Sequence, residues 1–484
     1  MICGKRVLSR RPRMCLFTTV LFLVALGALS LWNAKAARKY VYYGYVPEFT
    51  SGTLNWVDYI GGKPVNFTVP PNHAVLALIG MFDGTKVEVW NLITKEKIAE
   101  ATLDYMERRL LFLPSGTFFK VESNKRVAVA LFGGPAYTYL GAATFYPSRE
   151  GGFVGREFVF LAFTVSDTYI AWRAGRNALI HGLESAEFKI VDSTRKFSTS
   201  DKVDQNGFKD YILNCIVWVG QTLRGAGAST IFEVTASGLI SVSCWTSTGF
   251  SMLPAAGGGF VGKLFMGLTY VSVTESGSAG AFVVVPVEPC EVEVYDDKWN
   301  LVAKHKFTEE DVAEGRFWFY KVGATKKLIF KSTGDITVLC GDTFGITDPY
   351  YMGDDITFGG VRGGQEIAFF APTEAVLFAP EDTKVIVDGE EYFMHKDGYM
   401  ILEAGVHRVK PEKTLIIEIL GQAAGWQHFG SYLVCADDIE SSYTVPEGYG
   451  SPRKGIPYEY IALGVIVAII AVIVYIKRFR RRGP

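Results

Sequence analysis

The stretch GGGFVGKLF at 257–265 holds a G-x-G-x-x-G spacing at Gly257, Gly259 and Gly262. In a dinucleotide-binding loop such glycines let the backbone close on a pyrophosphate, which lies at the N-terminus of the helix that follows. Here the next residues, LFMGLTYVSV, favour a strand, so no helix N-terminus is available. The glycines therefore offer conformational freedom rather than phosphate binding, and they are read as a turn where one unit hands over to the next.

Carboxylates come closest to a binding site. Asp342, Asp348, Asp354 and Asp355 fall within GDTFGITDPYYMGDDITFGG at 341–360. Hard oxygen ligands suit Ca²⁺, with Asp348, Asp354 and Asp355 as candidate ligands; the alternative is a solvated acidic loop. The six histidines are scattered, His395 and His407 being twelve residues apart, with no H-E-x-x-H pair and no G-x-S-x-G elbow. No catalytic residues and no organic cofactor are expected, and the chain is read as not an enzyme. Of the cysteines, Cys215 can bridge to Cys244 and Cys290 to Cys340, with small buried thiols as the alternative. Cys435 aligns with Cys244 and Cys340 as a repeated position. Asn66-Phe67-Thr68 is a candidate glycosylation site.

The elements that position these residues form a repeat. GGFVG stands at 151–155 and again at 258–262; GGVRGGQEIAFF at 359–370 is a third copy and GGKPVNFTV at 61–69 a degenerate fourth. TKVEVW (85–90), EVEVYD (291–296) and TKVIVD (383–388) resemble one another. Strand-turn-strand patterns recur at 118–131, 231–244 and 327–340, with a longer variant at 414–435. TEEDVAEG at 308–315 opens like a capped short helix. The expected fold is all-β: about four tandem β-sandwich domains at 37–150, 151–257, 258–358 and 359–436, followed by a polar linker at 437–457.

The ends place this array. Five basic residues precede the apolar run at 14–32 and the A-K-A at 34–36, so 1–36 reads as a signal peptide or signal anchor. Residues 458–476 read as a transmembrane helix and 477–484 as a basic cytoplasmic tail, which puts the middle of the chain outside the cell. Without the two ends, 38 basic residues face 50 acidic ones, a difference of −12 that argues against nucleic acid as a partner.

The segment KVESNKRVAVALFGGPAYTYLGAATFYPSREGGFVGREFVFLAF (120–163) is similar to the repeated β-region at the N-terminus of IgGFc-binding proteins, in which a V-x-S turn and V-x-V strand precede a variable loop and a Gly-aromatic strand. The layout of exported β-array, membrane helix and basic tail resembles archaeal surface proteins. That resemblance implies a role in the cell envelope, with other envelope or surface-layer proteins, or further copies of this chain, as partners; no binding residue transfers with it. The function expected is that of a membrane-anchored structural or adhesion protein. A surface receptor for a glycan or small solute, its pocket near the insert at 192–210, is the second reading, and an exported hydrolase the third.

Overall fold

The computed structural model describes residues 39–60, 63–134, 144–164, 176–193, 198–211, 213, 227–245, 249–269, 280–323, 326–342, 348–352, 355–421, 429–451 and 472. The leader, the basic tail and, apart from residue 472, the apolar run at 458–476 lie outside them. Among the described residues no helix is long and apolar enough to cross a membrane.

The chain is built almost wholly of strands, which fall into four sets sharing one pairing diagram. In the first set β1 (Tyr40–Tyr45) is followed by an inserted hairpin, β2 (Leu54–Ile60) and β3 (Lys63–Val69). Then come β4 (His73–Gly80), β5 (Thr85–Asn91), β6 (Lys97–Leu103), β7 (Arg108–Pro114), β8 (Phe118–Ser123) and β9 (Val127–Gly133). The second set holds β10 (Thr144–Phe145), β11 (Gly155–Thr164), β12 (Arg176–Gly182), β13 (Ala186–Asp192), β14 (Ser198–Val203), β15 (Phe208–Tyr211) and the long β16 (Gly227–Trp245). The third holds β17 (Phe250–Met252), β18 (Gly262–Thr269), β19 (Gly280–Pro286), β20 (Cys290–Asp296), β21 (Leu301–Phe307), α1 (Glu309–Ala313), β22 (Trp318–Val322) and the long β23 (Lys326–Asp342). The fourth holds β24 (Ile356–Val361), β25 (Ile367–Ala371), β26 (Glu374–Ala379), β27 (Thr383–Val387), β28 (Glu390–Met394), β29 (Gly398–Leu402), β30 (Gly405–Pro411) and β31 (Leu415–Leu420), after which come β32 (Phe429–Tyr432) and α2 (Ala436–Ile439).

The fourth set shows the diagram most plainly. Its sheets run β24-β31-β26-β29 and β25-β30-β27-β28. Counting strands one to eight, that is 1-8-3-6 over 2-7-4-5, a double Greek key of the jelly-roll kind. In the second and third sets strands seven and eight are one continuous strand. β16 pairs β11 and β13 through its first part and β10 and β12 through its second, and β23 does the same with β18, β20, β17 and β19. Alternation does the sorting: the fourth strands Thr85–Asn91 and Cys290–Asp296 share one burial pattern, with Val87, Val89, Val292 and Val294 turned inward.

In the first set the 2-7-4-5 sheet is β1-β8-β5-β6, but the other sheet is β32-β9-β4-β7. Its first strand comes from the far end of the sequence, Phe429 opposite Gly133 and Tyr432 opposite Ala130. The four sets thus close on themselves. One continuous core runs through all of them, from Tyr42 to Ile439.

Several sequence expectations change here. The hairpin at 414–435 is not one, because β31 and β32 belong to different sets. Strands seven and eight of the fourth set are β30 and β31, so the position shared by Cys244 and Cys340 is taken by Ile419 and Leu131, not Cys435. The degenerate copy at 61–69 lies in the inserted hairpin, whose β2 runs parallel to the start of β16. The boundaries at 150/151, 257/258 and 358/359 cut within strand sets: the GGFVG turns join strand one to strand two of the same set. The short helix at 309–313 carries its capping box, Thr308 with Asp311.

Candidate functional site

The first strands of the four sets meet at the centre of the molecule. Register alignment places Thr144, Ser251, Thr357 and Ser431 at one position, opposite Cys244, Cys340, Ile419 and Leu131. All four hydroxyl residues are buried. Three of them tie one set to another: Met252 N donates to Thr357 Oγ1 at 2.9 Å, Tyr432 N to Thr144 Oγ1 at 3.1 Å, and Ser431 Oγ to Thr144 Oγ1 at 3.1 Å. A buried hydroxyl without such a partner costs about 1–3 kcal/mol, so these bonds favour this arrangement over looser ones. The signal was present in the sequence as a hydroxyl three residues before Pro147 and Pro254, but a short polar residue in an apolar strand carries little meaning until the strands are assembled.

The junctions between sets are alike. Strand six or the turn before it abuts the seventh or second strand of the next set. Tyr105 donates to Glu233, Lys327 lies 5.4 Å over the Phe208 ring, Phe317 packs on Phe370 at 4.8 Å, and Tyr399 of the fourth set stacks on Phe118 of the first at 3.9 Å. The closing junction also carries charged groups. Asp397 accepts from Tyr43 Oη at 2.6 Å and from Lys120 Nζ at 2.8 Å. Beside it Glu418 is fully buried, its Oε2 accepting from Tyr45 N at 2.6 Å while, among the described residues, Oε1 finds no partner.

Burial, with a smaller push from Glu374, holds the Glu418 carboxyl far above the usual carboxylate range. The folded state therefore keeps the proton that the unfolded chain releases above its ordinary value, and closure weakens as pH rises beyond about 4.5. Glu418→Gln keeps an acceptor for Tyr45 N and has no proton to lose. Denaturant unfolding at about pH 5 and about pH 8 is expected to show the native chain losing stability relative to this variant on going to the higher pH; parallel curves would exclude the assignment.

After β32 the chain does not become a free linker. Residues 433–451 run as a strap across the end that carries the 1–2, 3–4, 5–6 and 7–8 connections. Ile439 is 1% exposed and Tyr449 8%. Asp438 Oδ1 meets Arg126 Nε at 2.9 Å; burial raises its pKa while Arg126 draws it down. Arg362 donates to the carbonyls of Ile439 and Ser441, Tyr443 N donates to Gly257 O at 3.0 Å, and Tyr443 Oη to Gly151 O at 2.6 Å. Asn206 accepts from Gly450 N at 3.0 Å and donates to Gly448 O and Ser451 O. The strap's last ring, Tyr449, lies against His181, which also stacks on Phe208 at 4.5 Å.

The repeated glycines thereby gain a physical role. Gly151, Gly152, Gly258 and Gly259 all have positive φ, and a Cβ at Gly152 would stand 1.7 Å from Tyr443 Oη. They make a left-handed turn that seats the strap. A strand, β18, follows the second of these turns, in keeping with the absence of a phosphate loop.

The other candidate residues are not gathered into one site. Asp348 caps a single 3₁₀ turn, accepting from Tyr350 N at 3.0 Å. Asp355 is buried and accepts from Ile356 N and Gly430 N, which ties β24 to β32. Asp354 lies outside the described residues, and among these no cluster of three or more His, Cys, Asp or Glu could hold a metal ion. His407 faces Asp388 at 2.8 Å, whereas His395 lies 3.7 Å from Asp382. Asn66 is exposed on β3.

Cys215, the expected partner of Cys244, lies outside the described residues. Cys290 and Cys340 are not bridged. Register puts Cys290 opposite Gly334, and Cys340 comes six residues later, roughly 20 Å along β23, too far for a disulfide. Cys340 instead donates to Ser251 O at 3.4 Å, and burial raises its pKa. Both thiols are expected to react with an alkylating reagent only after unfolding, with no prior reduction; mass spectrometry of the labelled chain checks this.

Outside the ring, the second set carries an open groove of about 870 Å³, lined among others by Lys189, Ser200, Lys202, Thr235 and Ser237. Lys202 pairs with Glu187 at 2.6 Å and Lys209 with Asp201 at 3.1 Å. The Tyr211 hydroxyl, the Lys202 backbone N–H and Lys209 pull Asp201 down to about 2.

No family model matches the chain, and no curated protein matches it. Among solved structures, a cupin 2 conserved barrel domain protein from Leptotrichia buccalis is 9% identical, covering 33% of this chain and 84% of its own, at a TM-score of 0.13. A conserved protein of unknown function from Pseudomonas aeruginosa PAO1 is 10% identical over 33% of this chain and 82% of its own, at 0.12. Dimeric latent PorU from Porphyromonas gingivalis is 8% identical over 78% of this chain and 34% of its own, also at 0.12. Likeness this low carries neither fold nor function to the chain.

Proposed function

We propose that this protein is a membrane-anchored extracellular structural or adhesion protein, in which a closed ring of β-strand sets is held at one end and presents its connections at the other. The observation that carries this reading is the position of the strap. Lys39, where the described chain begins, pairs with Glu122 at the strap end, and Ser451, seven residues before the apolar run at 458, is bonded there to Asn206. The 2–3, 4–5, 6–7 and 8–1 connections and the hairpin at 54–69 leave from the opposite end, away from the anchor. A β scaffold with its connections gathered at one end suits contact with other molecules, and no catalytic residue has a role in this reading.

The test places single cysteines in the full chain in its host membrane, one at Asn66 on the far hairpin and one at Arg481 in the tail. A membrane-impermeant thiol reagent is expected to label the first in intact cells and the second only after permeabilisation. The reverse pattern, or equal labelling, rejects the orientation. Envelope components retained by the native chain and lost on deleting 54–69 support adhesion. The segment 192–210, expected as an insert, instead supplies strands five and six of the second set. The groove it helps to line favours the receptor reading; saturable binding of an acidic glycan that Lys189→Glu removes would replace adhesion with it.

A further inference from the structure

Each 2-7-4-5 sheet ends on strands two and five; strand two packs inward, β25 being buried throughout, whereas strand five (β6, β14, β21 or β28) is an exposed edge with no further strand paired to it among the described residues. An exposed edge invites pairing with another chain, and lysine in the edge strand is a common guard against it. Three of these edges have it, at Lys97, Lys202, and Lys304 with Lys306. The fourth, EEYFM, has none. It instead exposes Tyr392 by 40% and Phe393 by 56%, with Ile386 at 41% on its paired neighbour β27.

We propose that β28 is a homotypic docking edge, pairing antiparallel with β28 of a second copy of this chain about Tyr392. The register is self-complementary, as a two-fold contact requires. With the two Tyr392 residues opposite each other, Glu391 faces the partner's Phe393, so no like charges meet. Further out, Asp388 faces the partner's Lys396, twice per contact. Both residues are exposed, and Lys396 has no ion pair among the described residues. Main-chain hydrogen bonds supply affinity and the flanking charges fix register. Five residues make a small contact, well under about 1,200 Å², so the pairing is weak for free molecules and gains from tethering many copies to a surface.

The strand direction adds a consequence that rests on the anchored reading, although the pairing itself does not. β28 runs from the far end, after the Asp388-Gly389 turn, towards the strap end. Antiparallel pairing therefore turns the two straps to opposite sides, which suits copies on two facing membranes.

The experiment reconstitutes full-length Tyr392→Cys chain into two populations of lipid vesicles carrying different tags and applies mild oxidation. Disulfide-linked dimer is expected, with Lys304→Cys on the β21 edge giving little. Lys396→Glu in the Tyr392→Cys background should raise the dissociation constant about fivefold, for two exposed ion pairs lost per contact. Equal dimer from Tyr392→Cys and Lys304→Cys, or none from either, overturns the docking edge. Dimers carrying both tags support the facing arrangement. Dimers confined to one tag overturn that arrangement and leave the edge standing.

Discussion

Replacing Tyr432 by alanine is expected to lower the unfolding free energy by about 3–5 kcal/mol, the range for removing a large ring from a packed core. The ring is 2% exposed and meets Tyr146 edge-on at 5.3 Å. Its hydroxyl accepts from Leu161 N at 2.6 Å and donates to Leu161 O at 3.2 Å, so the side chain reaches the second set from a strand that completes the first. The location of the damage is the sharper readout. A tail of independent sandwiches would show it only near residue 432. The closed ring predicts that hydrogen exchange rises first in Val127–Gly133, which loses its β32 neighbour, while β26 and β31 stay protected. Tyr432→Phe keeps the packing but leaves Leu161 N–H without its acceptor, at a cost of about 1–3 kcal/mol. Exchange confined to 429–451 in the alanine variant would show that closure contributes little.

Acid should loosen the strap through His181. Burial alone lowers its pKa to about 3. Nε2 is buried with no partner among the described residues, and Nδ1 lies 3.4 Å from Ser241 Oγ. The rings of Phe208 and Tyr449 bring no charge to it; Lys327 lies 5.4 Å from the Phe208 centroid and pairs with Asp210, and Asp204 belongs to the turn that holds the strap. The folded value is below the ordinary one, so the open or unfolded state binds the proton first. The stability held by the neutral ring is complete above about pH 6.5 and falls by about 1.4 kcal/mol per unit as pH drops towards 3, roughly 5 kcal/mol in all. His181→Phe can keep the stack on Phe208 and cannot be protonated. Between about pH 7.5 and 4.5 the native chain should therefore lose roughly 3 kcal/mol relative to the variant in denaturant unfolding, a difference in which the carboxylates common to both cancel. Parallel loss in both proteins would show that His181 does not titrate against the strap.

Much of the strand content was legible because it is local. Val87, Val89, Val292 and Val294 alternate with polar residues, and that period predicts their inward direction without any partner strand. Gly152 and Gly258 could be read as turn residues for a similar reason, since glycine answers to a backbone angle. What they turn towards could not be read: the Tyr443 hydroxyl that demands a missing Cβ at Gly152 is 291 residues away. Cys435 was misplaced because an apolar run ending in cysteine looks alike whether it is strand eight or strand one. Asp355 can be read as a metal ligand because a carboxylate suits Ca²⁺ and a backbone N–H equally well; that it meets Gly430 N depends on a strand 75 residues away and has no local signal.

By itself, then, the sequence determined a repeated β-chain with apolar, cationic ends and glycine turns, because alternation, composition and turn chemistry act over a few residues. The tertiary structure decided that the array closes, that 433–451 is a strap, and that Cys290 and Cys340 stand apart. Those outcomes depend on which strand edges meet across some 300 residues, and that is settled by burying one shared core rather than by any short pattern.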